Sequence, residues 1–327
     1  MICKTFRRAS GKATRITRMI SAKARVRVAS RYLSGPRKIK LKEDEVALVC
    51  MLKDGSYYLD ELLDHHRGIG IGHFLFIDNG SEDDTVAKLA AQPDVTVISN
   101  RLPVRIYESL LRADIARRFI KGGWLLFVDS DELMDMPRGA GRSIQDYAGY
   151  CNEYGYDAVV GQCLDLFSPY PLAQTEGWSY RRSIPAFDCY SLRCIDEFDY
   201  HDRTVGFAWF LQSNTVSNPD IRLKFGGIRC ELFGENCALT NHRMVKNARH
   251  IRLYSHPHCS SDVHCADFTL LLRHYKFAGC YIERERQQVR NRVWDHGEDR
   301  SRLAVLDDPG FVFSGKEIHR CCQGNLA

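Results

Sequence analysis

The sequence predicts an α/β protein with a mostly parallel central sheet that is flanked by helices. Two nearly continuous apolar runs, Val46–Leu52 and Trp124–Val128, suit strands covered on both faces. Shorter apolar segments at 73–77 and 95–98 end at polar turns and read as further strands. Between these segments, apolar residues recur at the spacing typical of helices. Four strands alternating with three helices are typical of right-handed βαβ units on a parallel sheet.

The three predicted helices cover residues 58–66, 82–91 and 104–120. In the last of these, Leu111 and Ile115 fall on one face, and Gly122 follows shortly after its end.

The pattern is looser beyond residue 140, where we expect an α+β second half. Residues 144–153 read as a helix and 158–162 as a strand. Residues 205–211 and 249–254 resemble strands, and 266–291 reads as a long helix. No internal repeat is evident. We therefore predict a basic arm at 1–42, a ligand-binding βαβ half at 43–140, a second half of the same domain at 141–300, and a tail at 301–327.

Charge is distributed unevenly along the chain. Residues 1–42 hold 14 Lys and Arg and no acidic residue, whereas the remainder holds 32 basic and 41 acidic side chains. An acidic body argues against a nucleic-acid partner. In the arm, apolar residues such as Ile16, Ile20 and Ala24 recur at helical spacing. This pattern suits a basic amphipathic helix on an anionic membrane, but equally a transit peptide or a disordered arm.

Hydropathy and cysteine content predict the compartment. No stretch approaches the roughly 18 apolar residues of a membrane span, and the N-terminus lacks the apolar core of a secretory signal. The 13 cysteines are an odd number, which favours reduced thiols. We expect a cytoplasmic protein, with possible peripheral attachment to the inner face of the membrane through the arm.

Carboxylates follow three of the predicted parallel strands. Asp54, Asp78, Asp129 and Asp131 would therefore gather at the carboxyl edge of the sheet, where ligands of such sheets bind. The spacing of Asp129 and Asp131 suits a shared Mg²⁺ or Mn²⁺, because these cations take carboxylate oxygens together with substrate phosphates. The first strand is followed neither by Gly-x-Gly-x-x-Gly nor by Gly-Lys-Ser/Thr, so Rossmann and P-loop fingerprints are absent.

Three segments carry a resemblance to a known family. Residues 50–61 read Cys-Met-Leu-Lys-Asp-Gly-Ser-Tyr-Tyr-Leu-Asp-Glu, residues 76–85 read Phe-Ile-Asp-Asn-Gly-Ser-Glu-Asp-Asp-Thr, and residues 124–132 read Trp-Leu-Leu-Phe-Val-Asp-Ser-Asp-Glu. In order and spacing they resemble the nucleotide-sugar half of GT-A-fold glycosyltransferases, nearest to the family-2-like bacterial branch related to family 92. A fainter likeness reaches the His-Tyr-Lys at 274–276. The turn at Lys53 departs from the pattern, since the usual Lys/Arg-Asn-Glu is here Lys-Asp-Gly.

The resemblance implies a metal-dependent sugar transfer from a nucleotide-diphosphate donor to a glycan, lipid-linked or protein acceptor, with inversion. It implies that residues 43–140 form the nucleotide-sugar-binding half and residues 141–300 the acceptor-binding half. It implies metal ligation by Asp129 and Asp131, and His256, at the end of a predicted strand, is the candidate third ligand. The implied donor-binding residues are Lys53, Asp54, Asp78, Asn79, Ser130, His274 and Lys276, with His274 placed inside the predicted long helix. The candidate bases are Asp196, Glu197 and Asp199, because an inverting transferase needs a carboxylate near the acceptor hydroxyl.

Three other interpretations stay open. A nucleotidyltransferase also combines a parallel sheet with metal-binding carboxylates, although it would be expected to carry a Gly-rich basic loop after the first strand. An inactive domain could serve as a glycan- or membrane-binding scaffold. The residues His256, His258, Cys259, His264 and Cys265 have zinc-ligand chemistry, but their spacing matches no standard zinc module.

Overall fold

The computed structural model describes residues 17, 19–137, 142–291, 298–306, 308, 311–313 and 318–320. Its helices are α1 (19–29), α2 (Leu59–Gly68), α3 (Thr85–Ala90), α4 (Val104–Phe119), α5 (Ile144–Glu153), α6 (Leu172–Thr175), α7 (Tyr180–Ala186), α8 (Ala208–Leu211), α9 (Ile228–Phe233), α10 (Tyr281–Asn291) and α11 (Glu298–Leu306). Its strands are β1 (Arg31–Ser34), β2 (Ile39–Lys40), β3 (Val46–Leu52), β4 (His73–Asp78), β5 (Val95–Ser99), β6 (Ile120–Lys121), β7 (Trp124–Val128), β8 (Glu132–Asp135), β9 (Ala158–Asp165), β10 (Cys189–Tyr190), β11 (Ile195–Asp199), β12 (Thr215–Val216), β13 (Arg222–Gly226), β14 (Thr240–Lys246), β15 (Arg252–His256), β16 (Cys259–Ser261), β17 (His264–His274) and β18 (His319–Arg320).

A ten-stranded, mostly parallel sheet forms the centre of the protein. Its order is β1-β5-β4-β3-β7-β14-β9-β17-β12, and β8 pairs with β17. The strands β5, β4, β3 and β7 are parallel, as are β9, β17 and β12, while β14 runs antiparallel between β7 and β9. The predicted α/β class, with a mostly parallel central sheet flanked by helices, is confirmed.

Side chains of the central strands alternate between two apolar cores. In β3, Ala47 and Val49 enter one core, while Leu48 and Cys50 enter the other. Helices α1 and α4 cover the first face of the sheet, and α2, α3 and α5 cover the second. Because both faces of β3 and β7 are buried, these strands read as continuous apolar runs instead of alternating ones.

The predicted elements of the first half agree with the structure within a few residues. β3 and β7 have the predicted bounds, and α4 ends one residue before the predicted end. The predicted helix at 144–153 also has its predicted bounds. There the Ser143 side chain accepts from the Asp146 backbone N–H, and Asp146 accepts from that of Ser143, so a capping box fixes the start of α5.

Two predictions in the second half are wrong. Residues 266–274 of the predicted long helix belong to strand β17, and a helix begins only at Tyr281. The apolar run around Leu270 satisfies both periodicities, so its spacing could not separate strand from helix. The predicted strand at 205–211 is a turn followed by the short helix α8.

Part of the predicted arm is built into the domain. Arg31–Ser34 forms β1, which pairs antiparallel with β5 at the edge of the sheet, and Val26 of α1 is fully buried. The Asn100 side chain donates to the Val26 carbonyl and to the Ser30 hydroxyl. A boundary at residue 42 therefore falls inside the folded unit. Residues 1–16 and most of the tail at 301–327 lie outside the described residues.

Candidate functional site

Three strands bring polar side chains to one edge of the sheet. Strands β7 and β9 are both antiparallel to β14 and so run in the same direction. β17 is parallel to β9, with His274 in register with Asp165. The carboxyl ends of β7, β9 and β17 therefore meet, and they place Asp129, Asp165 and His274 at a common edge.

His274 lies between two carboxylates at this edge. Its Nδ1 is 2.6 Å from Asp165 Oδ1, and its Nε2 is 3.4 Å from Asp131 Oδ2. The backbone N–H of Tyr275 donates to the Asp131 carbonyl at 2.8 Å, which ties the end of β17 to the Asp131 loop. Burial alone would lower the pKa of His274, but Cys163, Asp131 and Asp165 raise it well above its usual value.

Three of the carboxylates at this edge, Asp129, Glu132 and Asp165, have an arginine partner. Arg229 Nε donates to Asp165 Oδ2 at 2.7 Å, and Arg243 Nη2 donates to Glu132 Oε1 at 2.5 Å. Arg112 is paired with Asp129. Burial would raise the pKa of Asp165, but Arg229 and His274 lower it below its usual range. The result is an alternating network of four carboxylates with three arginines and one histidine.

Two sets of potential metal ligands meet in this network. Within the described residues, one group of three ligand-bearing side chains lies within 4.8 Å: Cys163, Asp165 and His274. Both Asp165 oxygens are already engaged, and a cation there would face Arg229. Asp131 and His274 instead offer an oxygen and a nitrogen that lie 3.4 Å apart. The Asp129 side chain is 44% exposed but is paired with Arg112, so it would have to leave this arginine to join them. The pair of Asp131 and His274 suits a divalent cation that accepts carboxylate and imidazole ligands, such as Mn²⁺, with further oxygens supplied by substrate phosphates.

Asp78 and Asn79 shape the turn after β4. The Asp78 carboxylate accepts from the backbone N–H groups of Gly80 and Ser81, and it is 3% exposed. The Asn79 side chain donates to the carbonyls of Asn100 and Leu102. Both side chains hold the turn in place, so contact of their polar atoms with a ligand would compete with these bonds.

The turns after β3 and β4 are joined by Asp54. Its carboxylate accepts from the Glu82 N–H at 2.7 Å, and its own N–H donates to the Ser81 hydroxyl. Asp54 has a φ of +52°, a conformation that non-glycine residues seldom adopt. The preceding Lys53 is exposed.

A cavity of about 560 Å³ opens beside Asp78 at the ends of β4 and β5. Its polar lining comes from Arg31, Asp78, Ser81, Ser99 and Arg101. A volume of this size suits a small-molecule ligand, and two guanidinium groups favour an anionic one.

None of the contacts described for His256 is with Asp129 or Asp131. Its ring packs against those of Phe207 and Phe210, with centroids 5.1 and 5.3 Å away, and burial lowers its pKa. His256 does end strand β15, as predicted, but His274, expected inside a helix, ends β17 beside Asp131.

The three candidate bases are exposed residues of β11, which pairs antiparallel with β13. Glu197 pairs with Lys224, Asp199 pairs with Arg222, and Asp196 is exposed. Near these two strands lies a groove of about 950 Å³, to which Arg222 and Lys224 contribute. The described ion pairs of Glu197 and Asp199 are thus made with residues of β13.

The remaining predicted donor residues flank Asp131. Ser130 is half-buried in the loop between β7 and β8. Lys276 follows β17, and its positive charge contributes to lowering the pKa of Asp131, after the larger effect of His274 and against the opposing effect of burial.

Sequence reasoning missed Arg112, Asp165, Arg229 and Arg243. Only Asp165 carried a usable signal, because it ends an apolar strand as Asp78 does. The arginines come from elements whose contacts with the edge cannot be read from local patterns.

Comparisons with known proteins give little similarity. No protein-family model and no curated protein matches the sequence. Among solved structures, HddC from Yersinia pseudotuberculosis shares 12% identity, with a TM-score of 0.25 over 38% of this chain and 59% of its own. A mycobacterial protein shares 16% identity, with a TM-score of 0.23 over 37% and 40% of the two chains. A UDP-glucose pyrophosphorylase complexed with UDP-glucose shares 7% identity, with a TM-score of 0.24 over 47% and 66%.

The chain spans 59%, 40% and 66% of the lengths of these three proteins, and at such low TM-scores the likenesses carry no argument about function. Within the described residues, no helix combines the length and apolarity needed to cross a bilayer.

Proposed function

We propose that this protein transfers a sugar from a nucleotide-diphosphate donor to an acceptor hydroxyl, with Mn²⁺ or Mg²⁺ as cofactor. The acceptor oxygen would bond to the anomeric carbon of the sugar while the nucleoside diphosphate leaves with the bonding electrons. The acceptor proton would pass to a carboxylate base.

One observation carries this proposal: Asp131 and His274 approach within 3.4 Å at the carboxyl edge of the sheet, from segments far apart in sequence. Their side chains, together with Asp129 in the same loop, would hold the divalent cation. When bound, such a cation neutralises the charge that develops on a diphosphate leaving group. The imidazole ligand favours Mn²⁺ over Mg²⁺, which prefers an all-oxygen shell.

Other residues around this edge would bind the donor or accept the acceptor proton. Asp54 and Asp78 hold the turns after β3 and β4, and these turns would lie beside the nucleoside of the donor. Arg31 and Arg101, on the cavity beside Asp78, would contact anionic parts of the donor. Lys53, Asn79, Ser130 and Lys276 remain proposed donor contacts. Asp196, Glu197 and Asp199 remain candidate bases, of which Glu197 and Asp199 would first have to leave their cations.

A panel of UDP-, GDP-, dTDP- and ADP-sugars tests the proposal. Purified protein with Mn²⁺ should release nucleoside diphosphate from one donor class, and EDTA should stop the release. Formation of nucleoside triphosphate from a nucleotide sugar and pyrophosphate would instead assign nucleotidyl transfer. If the protein turns over no donor and gains no thermal stability from any, the scaffold interpretation replaces this one.

We further propose that α1 contacts anionic membrane, which would favour a lipid-linked acceptor. Ile20 and Val28, eight residues apart on α1, are 61% and 87% exposed, and Lys23 and Arg25 between them are also exposed. Apolar side chains beside cations suit an anionic leaflet, where each basic residue contributes about 1 kcal/mol.

Replacing Ile20 and Val28 by Ser tests this contact without removing β1. The double variant should sediment less with phosphatidylglycerol vesicles, and wild-type sedimentation should fall with salt. Leu192→Ser, at an exposed leucine of the second half, is the matched control. Undiminished sedimentation of the double variant would rule out this surface, and salt-sensitive binding to nucleic acid that survives the substitutions would point to a different partner.

A further inference from the structure

The side chain of His274 is held at both ring nitrogens by residues of different elements. Asp165, at the end of β9, is 2.6 Å from Nδ1, whereas Asp131, in the β7–β8 loop, is 3.4 Å from Nε2. The parallel register of β9 and β17 pairs residue 165 with residue 274, so the backbone itself aligns the carboxylate with the imidazole. Each ring nitrogen therefore faces a carboxylate, and Asp165 is the nearer and more buried of the two.

Arg229 fixes the orientation of the Asp165 carboxylate. Its second oxygen accepts from Arg229 Nε at 2.7 Å, and α9 supplies this arginine. Asp165 is 4% exposed, and the side chain of Arg229 is 13% exposed. With both oxygens used and a guanidinium adjacent, Asp165 is poorly placed to ligate a cation. It is well placed to accept a hydrogen bond from the Nδ1–H of His274.

This arrangement matches the chemistry of metal-bound histidines. Such a histidine usually donates its second ring N–H to a carboxylate, which fixes the tautomer and aims the other nitrogen at the metal. Here Nδ1 meets the carboxylate that is anchored by arginine, and Nε2 points toward the partly exposed Asp131.

We propose that Asp165, anchored by Arg229, is a positioning residue that keeps a proton on Nδ1 of His274 and presents Nε2 to a divalent cation held with Asp131. The proposal rests on the metal site of the proposed function, and it assigns a role to the second half of the chain. In this role Asp165 would act through His274 and would contact neither donor nor cation.

Titration of the protein with Mn²⁺, followed by the electron paramagnetic resonance signal of the free ion, tests this role. Asp165→Asn should weaken Mn²⁺ binding about 10- to 100-fold, the usual cost of losing such a carboxylate. In a His274→Asn background, the same substitution should cause no further weakening, because the ligand that it positions is absent. Arg229→Lys should produce a smaller loss.

Asp94→Asn is the matched control, because it makes the same carboxylate-to-amide change in a pair with Arg67 just before β5, at the amino edge of the parallel strands. It should lower thermal stability and leave Mn²⁺ affinity unchanged. If Asp165→Asn behaves like this control, or if wild-type protein binds no Mn²⁺, the positioning role is refuted. If Asp165→Asn does not fold, Arg229→Lys decides: an unchanged Mn²⁺ affinity refutes the role. Normal Mn²⁺ binding with the predicted coupling, but no donor turnover, would refute only the proposed function.

Discussion

Two histidines of the second half, the buried His242 and the partly buried His274, have opposite electrostatic surroundings. His242 Nε2 lies 2.7 Å from the Tyr200 hydroxyl, and its Nδ1 accepts from the Ser260 backbone N–H. His274 lies between Asp131 and Asp165. Burial lowers the pKa of His242 to about 4, whereas the acidic partners of His274 outweigh burial and raise its pKa. The partners, more than the degree of burial, decide which charge state the protein holds.

The difference separates a structural histidine from a candidate ligand. The hydrogen bond at Nδ1 of His242 requires an unprotonated nitrogen there, so its Nε2–H donates to Tyr200 and the ring is fully used inside the protein. His274 uses Nδ1 internally and turns Nε2 toward an edge where ligands bind.

The largest expected difference comes from the same substitution at both positions. An asparagine amide can replace Nδ1 but cannot reach the Nε2 position. His274→Asn should therefore keep a partner for Asp165 while weakening Mn²⁺ binding at least about 10-fold. His242→Asn should keep Mn²⁺ affinity but lose about 1–3 kcal/mol of unfolding free energy, because Tyr200 loses a buried partner. Calorimetric Mn²⁺ titration measures the affinity of both variants, and urea unfolding measures their stability. Equal Mn²⁺ affinities of the two variants would contradict the assignment of His274 as a metal ligand and His242 as a structural residue.

A smaller difference between the two histidines is expected in how the unfolding free energy changes at acidic pH. The folded-state pKa of His242 lies below its value of about 6.5 in the unfolded chain, so the unfolded chain takes up the proton first as pH falls. The stability contribution of neutral His242 is therefore present above pH about 6.5 and is lost toward pH about 4. The slope is about 1.4 kcal/mol per pH unit.

Urea unfolding at several pH values measures this slope, and His242→Asn should make it shallower. The contribution of His274 to the unfolding free energy depends on pH in the opposite direction. Because its folded-state pKa is raised, this contribution is present at low pH and disappears as pH rises through the folded-state pKa. An equal acid slope in wild type and His242→Asn would contradict the neutral state assigned to His242.

The same contrast shows what the sequence could predict. Strands β3 and β7 were predictable because burial on both faces leaves a continuous apolar run, and Asp129 and Asp131 were predictable because they end such a run. The partner of His274 was not, because Asp165 lies 109 residues away and meets it only through the β9–β17 register. The misassigned helix at 266–274 also hid the strand-end position of His274.

The affinity of Asp131→Asn for Mn²⁺ tests the central claim most directly. The side chain keeps its size, and the exposed Asp60→Asn on α2 is the matched control. The proposed site predicts that Asp131→Asn loses Mn²⁺ binding and Mn²⁺-dependent release of nucleoside diphosphate, while Asp60→Asn retains both. Wild-type Mn²⁺ affinity in Asp131→Asn would contradict a metal site at the edge where β7 and β17 end.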